Sequence, residues 1–378
     1  MKIIPDFKVR CFILAAAFSA GAGFGTSASA QYSSYLIDLN SKTATKFGAL
    51  GDAPNSRGAT AINDAGQVVG GFVAADGTRH AFITGPDGMG MRELGTLGGE
   101  YTEARGINNA GQVVGYSQTA EGAYHSFITG PDGMGMRDLG SFWVVAGVND
   151  VGQVMGTSST ADGTQYAFIS GPNAMGMKDL GTLSGTSHSD PFGINNAGQV
   201  VGSSTIPEVA QHAFITGPDG TGMRDLGTGE AARINETGQV VGYSYTADGF
   251  HHAFITGPNG MGMRDLGGFG GAGRYVSYAS DINDAGQVVG YASTADLSSQ
   301  HAFITGSNGT GMIDLNSLIK LPNGEILFSA HDINNAGQVI AIGVIPEPEI
   351  FTLFLAGLAL VGFIARRKKM GGEAFSLG

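Results

Sequence analysis

The sequence predicts an all-β fold: a repeat-built β-propeller of seven four-stranded blades. An N-terminal signal peptide precedes it, and a single hydrophobic helix follows it. Three observations predict this. The segment IN-x-x-GQV occurs seven times. A second segment, HAFITGPDGMGMRELG in its first copy at 80–95, occurs six times between copies of the first. Nothing between them has an apolar pattern of helical period.

The copies of the first segment carry Asn63, Asn108, Asn149, Asn195, Asn235, Asn283 and Asn334. Their spacings run from 40 to 51 residues, a length that fits one four-stranded propeller blade. The copies of the second begin at His80, His125, Tyr166, His212, His252 and His301.

Residues 104–139 show one unit strand by strand. ARGIN is a short strand ending at Asn108, and Asn109-Ala110-Gly111 turns the chain, since Asn and Gly tolerate positive φ. QVVGYS at 112–117 returns. TAEGA turns again, and HSFIT at 125–129 is a third strand of aromatic and β-branched residues. GPDGMG is a third turn and MRDL at 136–139 a fourth strand.

The array ends half-finished on both sides. The last unit stops after GQVIAIGV at 337–344, while YLIDLNSKTATKFGALG at 35–51 reads as the missing half, with Tyr35 at the position of His80. Pairing the two ends gives 28 strands and closes a ring without exposed edges.

The flanks differ from the repeats. Residues 1–30 carry Lys2, Lys8 and Arg10, then the run CFILAAAFSAGAGFG, and end in Ala28-Ser29-Ala30. That is the pattern of a secretory signal peptide with Ala28 and Ala30 at the cleavage site. The one cysteine, Cys11, lies within it, so the mature chain has no disulfide or thiolate site. Residues 31–344 form the repeat domain. Residues 31–348 hold 13 basic and 29 acidic residues, a net charge of −16 that disfavours nucleic acid.

At the other end, Ile350 to Ala365 is apolar and uncharged, and Arg366, Arg367, Lys368 and Lys369 follow at once. At 1.5 Å per residue the run spans roughly 24 Å, short of a ~30 Å hydrocarbon core. The basic cluster would stay cytoplasmic and the repeats outside. Residues 371–378 are a short tail.

Pro346-Glu347-Pro348, the short hydrophobic helix and the arginine-rich end together resemble the PEP-CTERM sorting signal of Gram-negative bacteria, here over 345–370. The resemblance implies that an exosortase in the inner membrane recognises Pro346, Glu347 and Pro348. It would then cleave nearby, leaving the protein at the cell surface or outside, often with exopolysaccharide and biofilm. The repeats resemble the HAF-repeat family of bacterial extracellular proteins, named for the same His-Ala-Phe, over nearly all of 35–344.

The repeated polar residues read as scaffold. Equivalent positions in successive blades lie too far apart to share one ion, so neither the histidines nor Met-Gly-Met is expected to hold metal, and no cofactor is expected. Met-Gly-Met reads as a packing pair. Asp-Gly at 87–88, 132–133 and 219–220 reads as turn chemistry, and the acidic residue closing each copy as a turn cap. One active centre needs unlike groups, so residues that break the repeat matter most. Phe142 and Trp143 are candidates to stack on sugar rings of a matrix polysaccharide. His188, Asp190 and His331 are the groups an alternative hydrolase or lyase would use. A non-enzymatic, exported repeat protein is the expected class.

Overall fold

The computed structural model describes residues 32–47, 58–141, 143–159, 163–185, 188–206, 210–269 and 275–345. Tyr32–Ile345 forms one compact unit. Its described residues are all-β, with 27 strands and one short α-helix, Leu315–Leu318. The signal-peptide residues Ala28 and Ala30, the motif Pro346–Glu347–Pro348, the 350–365 run and the basic cluster Arg366, Arg367, Lys368 and Lys369 lie outside the described residues, as does Phe142.

The unit read from sequence at 104–139 has strands Gly98–Ile107, Val113–Thr119, Tyr124–Ile128 and Arg137–Gly140, paired antiparallel in that order. The same order recurs along the chain. At the ends, Tyr32–Asp38 pairs with Gln338–Val344, with Tyr32 opposite Val344, so the first and last strands share a four-stranded sheet.

Two details differ from the expectation. There are 27 strands rather than 28, because Thr221–Ile234 is one 14-residue strand shared between successive units. The connection there is short, and Gly227 and Gly229 turn it at φ +111° and +127°. Second, Tyr35 does not occupy the histidine position. It lies opposite Ala341, as Phe82 lies opposite Gly70, and it is buried like Phe82, Phe127 and Phe168. Ser33, opposite Gly343, stands where His80 stands opposite Phe72. Counting 28 residues back from Asn63 misses this by two because the loop lengths differ.

The glycines of the repeat have geometric reasons. The glycine of each IN-x-x-GQ turn (Gly66, Gly111, Gly152, Gly198, Gly238, Gly286, Gly337) has φ between +69° and +78°, a region open to glycine at little cost. A Cβ on Gly66 would also lie 2.7 Å from the backbone nitrogen of Asp87. The glycine of Gln-Val-Val-Gly sits against the first strand: a Cβ on Gly115 would lie 2.0 Å from the carbonyl oxygen of Glu103.

That close approach accompanies a β-bulge. In the first strand of every unit the register skips one residue: Thr60, Arg105, Ala146, Phe192, Ala232, Ser280 and His331. Each lies three residues before the repeat asparagine. A bulge re-aims side chains and bends its strand, and here it does so seven times in equivalent places.

The core lies between neighbouring units. Val114, Ile128, Val145, Val154 and Phe168, drawn from two successive units, form one buried cluster. The paired valines of Gln-Val-Val-Gly, such as Val68 and Val69, are fully buried. Burial on both faces explains why this strand reads as continuous rather than alternating, each side chain contributing about 1.5–3 kcal/mol.

Candidate functional site

The repeat asparagines form a hydrogen-bonded cycle. Asn63 donates from Nδ2 to the carbonyl oxygen of Asn108, Asn108 to that of Asn149, and Asn149 to that of Asn195. The series continues from Asn195 to Asn235, to Asn283, to Asn334 and back to Asn63. All seven are buried. Each also bonds the glutamine four residues on, as Asn63 accepts from the Gln67 backbone N–H and donates to Gln67 Oε1. The motif Asn-x-x-Gly-Gln is thus one hydrogen-bonded turn welded to the next unit.

The residue after each asparagine forms a second cycle, exposed to solvent. The backbone N–H of Asp64 donates to the Asn109 side chain, Asn109 N–H to Asp150, Asp150 N–H to Asn196, and Asn196 N–H to Glu236. Glu236 N–H donates to Asp284, Asp284 N–H to Asn335, and Asn335 N–H to Asp64. The amides of Asn109 and Asn335 each tie two carboxylates together, Asn335 Nδ2 reaching Asp64 at 3.1 Å and Asp284 at 2.8 Å, while Asn196 Nδ2 reaches Asp150. Desolvation, opposed by the hydrogen bond from Asn196 and helped by Asp284, Asp150 and Asp64, raises the Glu236 carboxyl above its usual range.

This second cycle surrounds the mouth of a cavity of about 360 Å³ that all seven units line. Two residues before the repeat asparagine stand Ala61, Gly106, Gly147, Gly193, Arg233, Asp281 and Asp332, all on its wall. The repeat is therefore broken along one arc. Three successive units present glycine, and the next three present charge.

The charged arc is tightly organised. Asp281 Oδ2 accepts the Ile333 backbone N–H at 2.8 Å, and Asp332 Oδ2 accepts that of Ile62 at 3.1 Å. Burial first, then the neighbouring Asp332, hold the Asp281 carboxyl well above the ordinary range, against Arg233, which lowers it. Arg233 Nε lies 3.8 Å from Asp281, while its Nη1 donates to the carbonyl oxygens of Phe192 and Ala232. His331 stands beside Asp332 and shares a part-buried hydrogen bond with Ser329. The protein packed around it holds its pKa below the usual histidine value, against Asp332, which raises it.

His188, just before the strand Ser189–Ile194, is paired with Asp190 of that strand at 2.6 Å. Among the described residues, no hydrogen bond or ion pair joins that pair to His331. Trp143 opens the strand Trp143–Val148, opposite Ser158.

The repeated histidines and the repeated acidic residues, read separately from the sequence, are partners. His125 Nδ1 meets Asp138 at 2.8 Å, His212 meets Asp225 at 2.9 Å, and His252 and His301 meet Asp265 and Asp314 at 2.7 Å; His80 pairs with Glu93. The constant 13-residue spacing was the available signal. Asp138 also caps the turn, accepting the Gly140 N–H at 2.7 Å. Among the described residues no cluster of three or more His, Cys, Asp or Glu side chains is arranged to hold a metal ion.

Met-Gly-Met is not a packing pair. Met89, Met134, Met175 and Met261 are 61–66% exposed. The second methionine packs in two copies, Met91 and Met136 lying against buried clusters. The first sits on a turn whose Asp or Asn has positive φ, which carries its side chain outward. The basic residue after the motif also joins units: Arg92, Arg137, Arg224 and Arg264 each donate to a carbonyl oxygen in the next unit's turn, at 2.5–2.6 Å.

Residues 344–369 match the PEP-CTERM protein-sorting motif. The match supports an exported chain that an exosortase sorts. Among curated proteins, none matches the sequence. The fold is similar to the β-propeller domain of the Trilobed protease from Pyrococcus furiosus, at 10% identity and TM-score 0.55, over 75% of this chain and 89% of that one. It is similar to the acylaminoacyl peptidase of Pyrococcus horikoshii, at 7% identity and TM-score 0.52, over 76% of this chain and 49% of that one. A putative TolB from Agrobacterium tumefaciens aligns over 84% of this chain and 99% of that one, at 11% identity and TM-score 0.46. At these identities the likeness to the first two shows a fold, all-β and propeller-like.

Proposed function

We propose that this chain is an exported, non-enzymatic surface or extracellular protein, a closed seven-bladed propeller that an exosortase sorts through Pro346, Glu347 and Pro348. The match at 344–369 carries the reading. The signal peptide 1–30 directs export. The 350–365 run holds the chain in the inner membrane, with Arg366, Arg367, Lys368 and Lys369 on the cytoplasmic side, until the domain 31–344 is released. Closure is supported by the pairing of Tyr32–Asp38 with Gln338–Val344 and by the asparagine cycle returning to Asn63.

A scaffold role for the repeat is supported by its conspicuous polar groups. Asparagine, glutamine, arginine and the His–acid pairs are hydrogen-bonded to one another or to backbone, which leaves binding to the residues that differ between units. We assign matrix polysaccharide as the ligand class, with Phe142 and Trp143 as stacking contacts. A hydrolase using His188, Asp190 and His331 is less well supported, since the two groups form separate pairs.

The test is an intact-mass measurement of material outside the cell, with and without Glu347→Ala. Wild-type chain should lack the segment after about residue 350, and the variant should stay with the membrane. Released protein that still carries 350–378 would overturn the sorting reading.

A further inference from the structure

We propose that the central cavity binds the end of a neutral saccharide, gripped by Arg233 and Asp332 and excluded from acidic sugars by the carboxylates at the mouth. The inference deepens the polysaccharide reading above by naming a site and a charge class. It begins from the broken repeat: two residues before the repeat asparagine, Gly106, Gly147 and Gly193 carry no side chain on one arc of the wall, where Arg105 and Phe192 also line it, and Arg233, Asp281 and Asp332 stand on the other arc. Packing explains two of the glycines, since a Cβ on Gly147 would lie 2.7 Å from the Met155 methyl and one on Gly193 2.9 Å from the Arg233 Cα, but it does not require Gly106, whose nearest neighbour would be at 3.5 Å. A ligand site needs room on one side and oriented polar groups on the other, and Gly106 and the charged arc supply them.

The volume suits a small ligand. About 360 Å³ falls within the roughly 300–1,000 Å³ of small-molecule sites. The polar groups are fixed in advance. Arg233 Nη1 is held by two carbonyl oxygens, and its Nε lies by Asp281, which leaves the guanidinium in one orientation. Asp332 is held by the Ile62 N–H. At the mouth, each carboxylate accepts a neighbour's backbone N–H and so has a set plane.

The chemistry of the lining selects the ligand. The mouth has four carboxylates, Asp64, Asp150, Glu236 and Asp284, and three amides. Carboxylates only accept hydrogen bonds when ionised, so the cavity has acceptors in excess and asks for a ligand rich in donors. Sugar hydroxyls supply donors, and each hydroxyl oxygen can also accept from Arg233. Four carboxylates around the opening focus a negative field, which repels uronates, sulfates and phosphates.

The experiment titrates the full-length chain with cellobiose, maltose and lactose, and with digalacturonate as the anionic counterpart. Saturation-transfer NMR and calorimetry give the readout. At least one neutral disaccharide should bind, and digalacturonate should not. Arg233→Met should weaken binding at least tenfold. Gly106→Val should do so without removing a charge, since a Cβ there meets its nearest neighbour at an ordinary 3.5 Å. Melting curves verify folding, and the near-isosteric Asp332→Asn stands in if either variant fails to fold. Met175→Ala, at an exposed turn residue that does not line the cavity, should leave this binding unchanged. If no neutral disaccharide binds, if digalacturonate binds as well, or if the cavity variants bind normally, the proposal is overturned. Loss with Trp143→Ala alone would instead locate binding at the connection and leave the broader polysaccharide reading standing.

Discussion

Asn334 donates from its side-chain amide to the backbone carbonyl of Asn63, 3.0 Å away and 271 residues earlier in the chain. The same bond joins every other pair of successive units, so the join between the ends is chemically the same as a join within the array. Asn334 also donates to Gln338 Oε1 and accepts the Gln338 N–H, both at 2.8 Å.

Asn334→Ala should therefore cost as much stability as the mid-array change Asn195→Ala. Each removes three buried hydrogen bonds and strands a glutamine N–H, for about 2–4 kcal/mol at ~1 kcal/mol per bond. Urea unfolding of both variants checks this. A much smaller loss for Asn334→Ala would mean that the ends are not joined in solution.

Tyr35→Phe should destabilise the closing sheet even though the equivalent residue is phenylalanine in six other units. The Tyr35 hydroxyl donates to Glu325 at 2.6 Å, and the Glu325 side chain is 3% exposed with Lys46 as its other partner, at 3.1 Å. Removing a hydrogen bond to a buried carboxylate costs about 1.5–3 kcal/mol. Denaturant unfolding gives the difference, and a change within error would show that Lys46 alone satisfies Glu325.

Much of this fold was legible because the chain could be compared with itself. Seven Asn-x-x-Gly-Gln turns and six His-Ala-Phe strands gave the unit and its four strands. What stayed hidden was contact between units. The sequence gives Asn63 as a strand end but not its bond to Asn108, 45 residues on. The bulge at Arg105 or Phe192 was invisible because one extra residue recurs in every first strand and leaves the repeat spacing unaltered. Without the bulge, nothing says which residues before the asparagine face the cavity, so Arg233 and Asp281 were passed over. His331 stands out in the sequence for its chemistry alone. The paired His125 and Asp138 could have been found from their 13-residue spacing, shared by four other units.

The turn methionines should be the first oxidised. Met89, Met134, Met175 and Met261 are 61–66% exposed, whereas Met155 is 2% exposed beneath the first strand. Sulfoxide formation follows access. Peptide mapping after brief peroxide treatment should find these four converted well before Met155. Parallel oxidation of Met155 in folded protein would contradict its burial.

Asp281→Asn should change the pH dependence of stability in a defined direction. Burial and Asp332 raise the Asp281 carboxyl well above its ordinary value in the folded state. Unfolded, it returns to about 4. Between about pH 4 and the raised value the folded chain keeps a proton that the unfolded chain gives up. Stability from this group is then fully present below about pH 4 and is lost as pH rises through that interval. Asparagine mimics the protonated carboxyl and does not titrate. Asp38 and Asp138 are shifted the opposite way, Asp38 chiefly by the Ser41 backbone hydrogen bond, and Asp138 by His125 and Gly140 against a larger opposing effect of burial. These groups are common to both proteins, so the difference in melting temperature between variant and wild type isolates the Asp281–Asp332 pair. That difference should move in favour of Asp281→Asn from pH 4 to 7. A constant difference would show that Asp281 ionises in the folded protein as it does in the unfolded chain.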